Sequence, residues 1–145
     1  MAILLDTNIL LRLAQPHHPG ASVAARALRT LRAANETLHI TQQNIVEFWV
    51  VTTRPVAANG LGHATEQAAA EVSDLKRLFD LLPELPLQDE WQRLVAQYRV
   101  SGKNAHDARL VAAMVVHRVE SIVTFNAQDF LRYTEIRVLD AAKAA

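Results

Sequence analysis

The sequence predicts an α/β domain with a mostly parallel sheet, and three observations carry that expectation. Short apolar or β-branched runs at Ala2–Leu5, Thr37–Ile40, Ser121–Thr124 and Ile136–Leu139 alternate with longer stretches of helical periodicity, as strands joined by helical crossovers do. The first of these runs is uninterruptedly apolar and the third is β-branched at its centre, which suits strands buried on both faces. No repeat, low-complexity tract or linker interrupts the alternation, so residues 1–145 read as one domain, long enough to bury a sizeable core.

In chain order, the strand Ala2–Leu5 ends at Asp6-Thr7-Asn8, a helix start, and the helix Ile9–Ala14 stops in the turn-rich Gln15–Gly20. A helix over Ala21–Ala34 carries Arg26, Arg29 and Arg32 on one side, read as a solvated stripe, and Val23, Ala27 and Leu31 on another. After the strand Thr37–Ile40, Thr41 is placed to cap a helix running to Arg54, where Pro55 closes it. The Gly-containing loop Ala57–His63 leads into an amphipathic helix over Ala64–Leu82, and Pro83 and Pro86 punctuate an extended piece suited to an edge strand. Helices follow at Gln88–Val100, anchored by Trp91, Leu94, Val95 and Tyr98, and from Ala105 to His117, with Asn104 as N-cap. The strand Ser121–Thr124 leads into Phe125-Asn126-Ala127-Gln128-Asp129-Phe130, and Ile136–Leu139 precedes an Ala-rich tail.

Fifteen basic and fifteen acidic side chains cancel, so nucleic-acid binding would have to come from a local patch. The absence of cysteine excludes disulfides and thiolate metal sites, leaving carboxylates and six histidines as possible ligands and favouring a hard metal ion. The apolar run before Asp6 has no basic flank or cleavage site, and no later run is long enough to span a bilayer. This reads as a cytoplasmic chain without a membrane segment.

Four acids occupy positions that demand an explanation. Asp107 sits on the helical face of Leu110, Val111 and Met114, where an unpaired carboxylate is costly. It reads either as a first-turn capping acid behind Asn104 or as part of a site. Glu47 is flanked by Ile45, Val46, Phe48, Trp49, Val50 and Val51, and reads either as a partner of some arginine or as a ligand. Asp6 lies at the carboxyl end of one strand, and Asn126 and Asp129 follow another, which is where open parallel sheets bind ligands. Asp129 also reads as a first-turn acid capped by Asn126. In one crevice these charges repel unless a divalent cation neutralises them, and magnesium or manganese suits oxygen-only ligands.

The ordered set Leu5-Asp6-Thr7-Asn8, the Glu47 helix, His106-Asp107-Ala108 and Thr124–Phe130 resembles the PIN domain family, in particular its VapC-type toxins. The resemblance covers nearly the whole chain. It implies a five-stranded parallel sheet flanked by helices, a homodimer, a Mg2+- or Mn2+-dependent endoribonuclease acting on RNA, and an inhibitory antitoxin partner. Asp6, Glu47 and Asp107 match the family's first three acids, Asn8 its supporting polar residue, and Thr124 the hydroxyl before the last motif. Many relatives carry Asp where Asn126 stands, so the fourth ligand falls to Asn126 or to Asp129 three residues later. Arg12, Arg54 and Lys103 are candidate phosphate contacts, His17 and His18 lie in a loop that could meet substrate, and His106, turned about 100° from Asp107 on a helix, reads as a core or surface residue.

Two other readings compete. A haloacid-dehalogenase-type phosphatase also begins with a strand and Asp-x-Asp, but here Asn8 replaces the second acid and only Lys76, Lys103 and Lys143 are available for the phosphate. A catalytically weakened PIN-like module would bind RNA or a partner without cutting, as the neutral Asn126 allows.

Overall fold

The computed structural model describes residues Met1–Ala145. Five parallel strands form one sheet: β1 (Ala2–Leu5), β2 (Thr37–Ile40), β3 (Asp80–Leu81), β4 (Ser121–Thr124) and β5 (Arg137–Asp140), in the order β3-β2-β1-β4-β5. Seven helices flank it: α1 (Thr7–Leu13), α2 (Pro19–Ala33), α3 (Gln42–Thr53), α4 (Thr65–Leu78), α5 (Gln88–Gln97), α6 (Asn104–His117) and α7 (Ala141–Ala144). The chain steps outward from β1 to β3 and then returns to place β4 on the other side of β1. The gap between the ends of β1 and β4 is therefore the point where strand order reverses, the usual ligand site of such sheets.

The pleat of β1 explains the layering. Ile3 and Leu5 face a core shared with Ile9, Leu10, Leu28, Phe48 and Leu75, whereas Leu4 faces the other side with Leu94, Val111, Met114, Ile122 and Tyr133. Both faces are covered, which is why β1 carries no polar residue. No helix is long and apolar enough to cross a membrane.

Several boundaries differ from the sequence expectation. The long helix ends at Leu78 rather than Leu82, and the edge strand is Asp80–Leu81 rather than the Pro83–Pro86 piece. Phe79 already has extended backbone and buries its ring, and the Leu82 N–H donates to the Ile40 carbonyl at 2.9 Å, a bond that proline cannot make. Helix α5 ends at Gln97, with Arg99 in the left-handed region, short of the expected Val100. Helices α1 and α2 each start two residues early, because Asp6 and His18 cap them: Asp6 accepts the Thr7 N–H, and the His18 ring accepts the Gly20 N–H. The last strand is Arg137–Asp140, and Asp140 then caps α7, so the Ala-rich tail is helical and packs on α2.

Asn104 is not the N-cap of α6. It is the first helical residue, preceded by Lys103 with helical backbone and no capping side chain. Gly102, at φ +62°, turns the chain, and its carbonyl accepts the Ala105 N–H at 3.1 Å, so the helix begins one residue early. One member of the arginine stripe is also more than solvated. Arg32 donates to the Leu78 carbonyl at 2.7 Å and lies over the Phe79 ring at 5.3 Å, tying α2 to the end of α4.

A candidate active site at the strand-order reversal

Asp6 closes β1 and caps α1, so its carboxylate is fixed from two sides: Oδ1 accepts the Thr7 N–H at 2.7 Å and Oδ2 accepts the Thr124 hydroxyl, also at 2.7 Å. Thr124 ends β4, the neighbouring strand, and its oxygen in turn accepts the Asn126 N–H at 2.9 Å and the Asn8 amide at 3.3 Å. Asn8 completes the cross-link by accepting the Phe125 N–H at 3.3 Å. The two strand ends are thus stitched together around one buried carboxylate.

The other acids reach the same place from separate elements. An open crevice of about 640 Å³ is lined by Asp6, Glu47, Asp107 and Asp129, together with Thr7, Asn8, Asn126 and Arg54. Glu47 comes from α3 and Asp107 from the first turn of α6, and Asp129 comes from a single 3₁₀ turn, Ala127–Asp129, after β4. Neither capping reading holds. Asp107 accepts no hydrogen bond from any protein group, and the Asn126 side chain makes no capping bond to the turn that carries Asp129.

Electrostatics follow from this gathering. Burial pushes the Asp6 carboxyl up to about 6, against the opposing pull of its Thr124 and Thr7 hydrogen bonds, and repulsion from Glu47 and Asp129 adds to the rise. Asp107 is pushed up to about 7, first by burial and then by Asp6, Asp129 and Glu47, with Arg132 the one cation opposing. The acids repel across the crevice, and no three of them close into a ready-made ligand cage. Their donor set, carboxylate oxygens with Asn and Thr oxygens beside them, fits a hard divalent cation that would draw them together.

Glu47 pairs with no arginine, and its surroundings are more polar than its flanking residues suggest. Its Oε1 accepts the Thr7 hydroxyl at 2.6 Å and its Oε2 accepts the Gln43 amide at 3.2 Å. The same Gln43 amide donates to the His106 carbonyl at 2.7 Å, and its oxygen accepts from Arg109 at 3.0 Å, so α3 is tied to α6 beside the crevice. Behind Thr7 stands Asn44, fully buried, which donates to the Thr7 oxygen at 2.9 Å and forms a reciprocal capping box with Thr41. Thr7→Val keeps the shape but strands the Asn44 amide and frees Glu47. The expected result is a loss of about 1–3 kcal/mol of stability, read from denaturant melts, and an unchanged midpoint would show that Asn44 is not held this way.

Among the candidate phosphate contacts, only Arg54 lines the crevice. It donates to the Asn59 carbonyl at 3.0 Å, and Gly60 passes so close that an added Cβ would lie 1.9 Å from the Arg54 carbonyl oxygen. Arg12 instead bonds Gln15 at 2.9 Å, and exposed Lys103 precedes α6 outside the crevice. His17 and His18 also lie outside it, whereas exposed His106 is on its wall. Sequence reasoning missed Thr7, Gln43, Asn44, Arg109 and Arg132. The i,i+4 spacing of Gln43 and Glu47 and the Thr41-x-x-Asn44 box were available signals, while nothing local marks the two arginines.

A sequence model described as "PIN domain" matches residues 3–136. No curated protein matches the chain. Among solved structures, the fold is similar to VapBC2 from Rickettsia felis bound to a DNA fragment from their promoter, with TM-score 0.72 and 16% identity over 97% of this chain and 98% of that one. VapBC-1 from nontypeable Haemophilus influenzae gives TM-score 0.68 and 18% identity, and DNA-bound VapBC from Salmonella typhimurium gives 0.68 and 16%, each covering 97% of this chain and 98% of the other.

Proposed function

Because the chain belongs to the PIN domain family, we propose that it is a Mg2+- or Mn2+-dependent endoribonuclease, the toxin of a type II toxin–antitoxin pair. The observation that carries the reading is the convergence of Asp6, Glu47, Asp107 and Asp129, from four separate stretches, on the strand-order reversal. Asp6, Glu47, Asp107 and Asp129 would hold the ion, with Asn126 beside them. Bound there, the ion would supply charge neutralisation and the means to activate a water for attack on a phosphodiester. The chain's own part is orientation. Thr124 and the Thr7 N–H fix both oxygens of Asp6, Thr7 and Gln43 aim Glu47, and Arg54 offers a cation to an RNA phosphate at the crevice wall. Purified protein should cut single-stranded RNA with manganese or magnesium and stop under exhaustive chelation, and cutting that survives chelation would end the metal reading.

The antitoxin partner is proposed from the likeness to the three VapBC structures. A homodimer is proposed from the exposed apolar surface of α3, centred on Trp49 and continuing into the crevice wall at Val46 and Val50. Phe48 is buried in the core, and the exposed apolar side chains are Val46, Trp49 and Val50. Light scattering at micromolar concentration should give twice the chain mass, and Trp49→Lys should lower it.

A second reading, a PIN-like module that binds RNA or a partner without cutting, draws on the neutral Asn126 and on the absence of a closed ligand cage. Metal-independent RNA binding with no cleavage would favour it. The phosphatase reading is set aside: Asn8 is spent on Thr124 and Phe125, and none of Lys76, Lys103 and Lys143 lines the crevice.

A further inference from the structure

A second groove, about 670 Å³ and open to solvent, adjoins the crevice, and His106 lines both. It runs between the segment joining β3 to α5 and the first turns of α6. One side is apolar: Leu85 is 41% exposed, Pro86 is beside it, and the Trp91 indole has already spent its N–H on the Ala105 carbonyl at 2.8 Å, so its ring has only apolar surface left to offer. The α6 side is polar, with Arg109, whose side chain is 42% exposed, while exposed Gln88 lies about one turn before Trp91 on α5. Arg109 is held by Gln43 at 3.0 Å and only loosely by Glu84 at 3.9 Å, which leaves most of its five N–H donors free.

A crevice lined by four acids repels a polyanion, so the phosphates on either side of a cleaved bond must find cations beyond the acids. Arg54 stands at the carboxyl end of α3, and Arg109 meets Gln43 at the opposite end. Those two ends are about 16 Å apart along the helix axis, so an extended strand of a few nucleotides laid along α3 meets a cation at each end. At the Arg109 end the strand reaches the mouth of the second groove.

We propose that this groove is a nucleobase subsite, taking the unpaired base of a nucleotide next to the cleaved phosphodiester, with the base against Trp91 and Leu85 and its phosphate on Arg109. The inference rests on the ribonuclease reading and deepens it. A flat base fits against the indole, because aromatic stacking holds any base, and Gln88, about one turn before Trp91 on α5, can bond its edge.

The chain has two tryptophans, so the full-length Trp49→Phe protein reports on Trp91 alone. With calcium as counter-ion to the carboxylates, a short single-stranded oligoribonucleotide should quench Trp91. It should also bind about tenfold more tightly than an abasic oligomer of equal length and charge. Leu85→Ala and Gln88→Ala should each weaken that binding, while binding of the abasic oligomer stays the same. Equal affinity for the two oligomers, or a silent Trp91, would overturn the subsite. Quenching by a short apolar peptide carrying arginine, without quenching by RNA, would overturn it in favour of a protein partner. Manganese-dependent cleavage by the unmodified chain, measured in parallel, tests the ribonuclease reading separately, since cleavage with a silent Trp91 removes the subsite alone.

Discussion

Asp107→Asn is expected to lower metal-dependent RNA cleavage by about 10²–10⁴-fold, the scale of several kcal/mol of lost ion-mediated stabilisation. The same substitution should leave the metal-free protein as stable as before or more so. Both halves follow from one arrangement: Asp107 accepts no hydrogen bond from the protein, and Asp6, Asp129 and Glu47 all repel its charge. An amide of equal size removes the repulsion and costs no bond. A capping acid behaves in the opposite way, since losing a cap costs about 0.5–2 kcal/mol. Cleavage assays and denaturant melts on one preparation separate the cases. A variant that cuts at the unmodified rate would take Asp107 out of the chemistry.

The second large effect is a reversal of pH dependence by metal. Folding raises the carboxyl of Asp6 from 3.8 to about 6 and that of Asp107 from 3.8 to about 7. Between pH 4 and pH 7 the folded chain therefore holds more protons than the unfolded chain, and stability falls as pH rises through this window. Below the unfolded value the penalty is absent, and above the folded values it is complete. Glu135 is shifted the other way, held down by its hydrogen bonds to Tyr98 and Arg93 against the opposing effect of burial, and it adds stability that is lost only on acidification below the usual carboxylate range. The metal-free protein should melt at a lower temperature at pH 8 than at pH 5. Manganese at a hundred times its dissociation constant should add about 2.7 kcal/mol at pH 8 and much less at pH 5, where protons compete for the same oxygens. The same comparison on Asp6→Ala is instructive, because Asp6 both caps α1 and joins the cluster. That variant loses the cap and the repulsion together, so its pH slope and manganese response should shrink even if its midpoint hardly moves. A protein more stable at pH 8 than at pH 5 and indifferent to manganese would leave no convergent site.

What could be read from the sequence, and what could not, divides along physical lines. The ends of β1 and β4 were legible because each strand is a compact buried run followed at once by polar residues, so Asp6 and Thr124 fell at carboxyl ends without any tertiary information. The edge strand was not legible: Asp80–Leu81 is defined by backbone pairing with β2, and the apolar residues around it continue the periodicity of α4. Helix α3 misled for a different reason. Its apolar residues lie on both faces, with Phe48 buried and Val46 and Val50 exposed, so the pattern could not show that Glu47 faces a polar crevice. Asp107 looked like a capping acid because Asn104 is three residues upstream, yet the turn at Gly102 starts the helix early and leaves Asp107 without a bond. Gln43 and Arg109, far apart in sequence, meet only because α3 and α6 approach the same crevice wall.

The central place of β1 has a consequence for how the molecule is made. Its hydrogen-bonded neighbours are residues 37–39 on one edge and 121–123 on the other, and the bond from Thr124 to Asp6 spans 118 positions of chain. While the polypeptide is being synthesised, one edge of its first strand stays unpaired, and Asp6 lacks the hydroxyl that orients it, until β4 has emerged from the ribosome. Such long-range closure is also slow, because the intervening loop must be ordered before the contact is rewarded. A chain stalled or cut before residue 121 cannot assemble the crevice at all. On the ribonuclease reading, the chain has no crevice with which to cut RNA until β4 has been made, so it cannot attack its own message before that point.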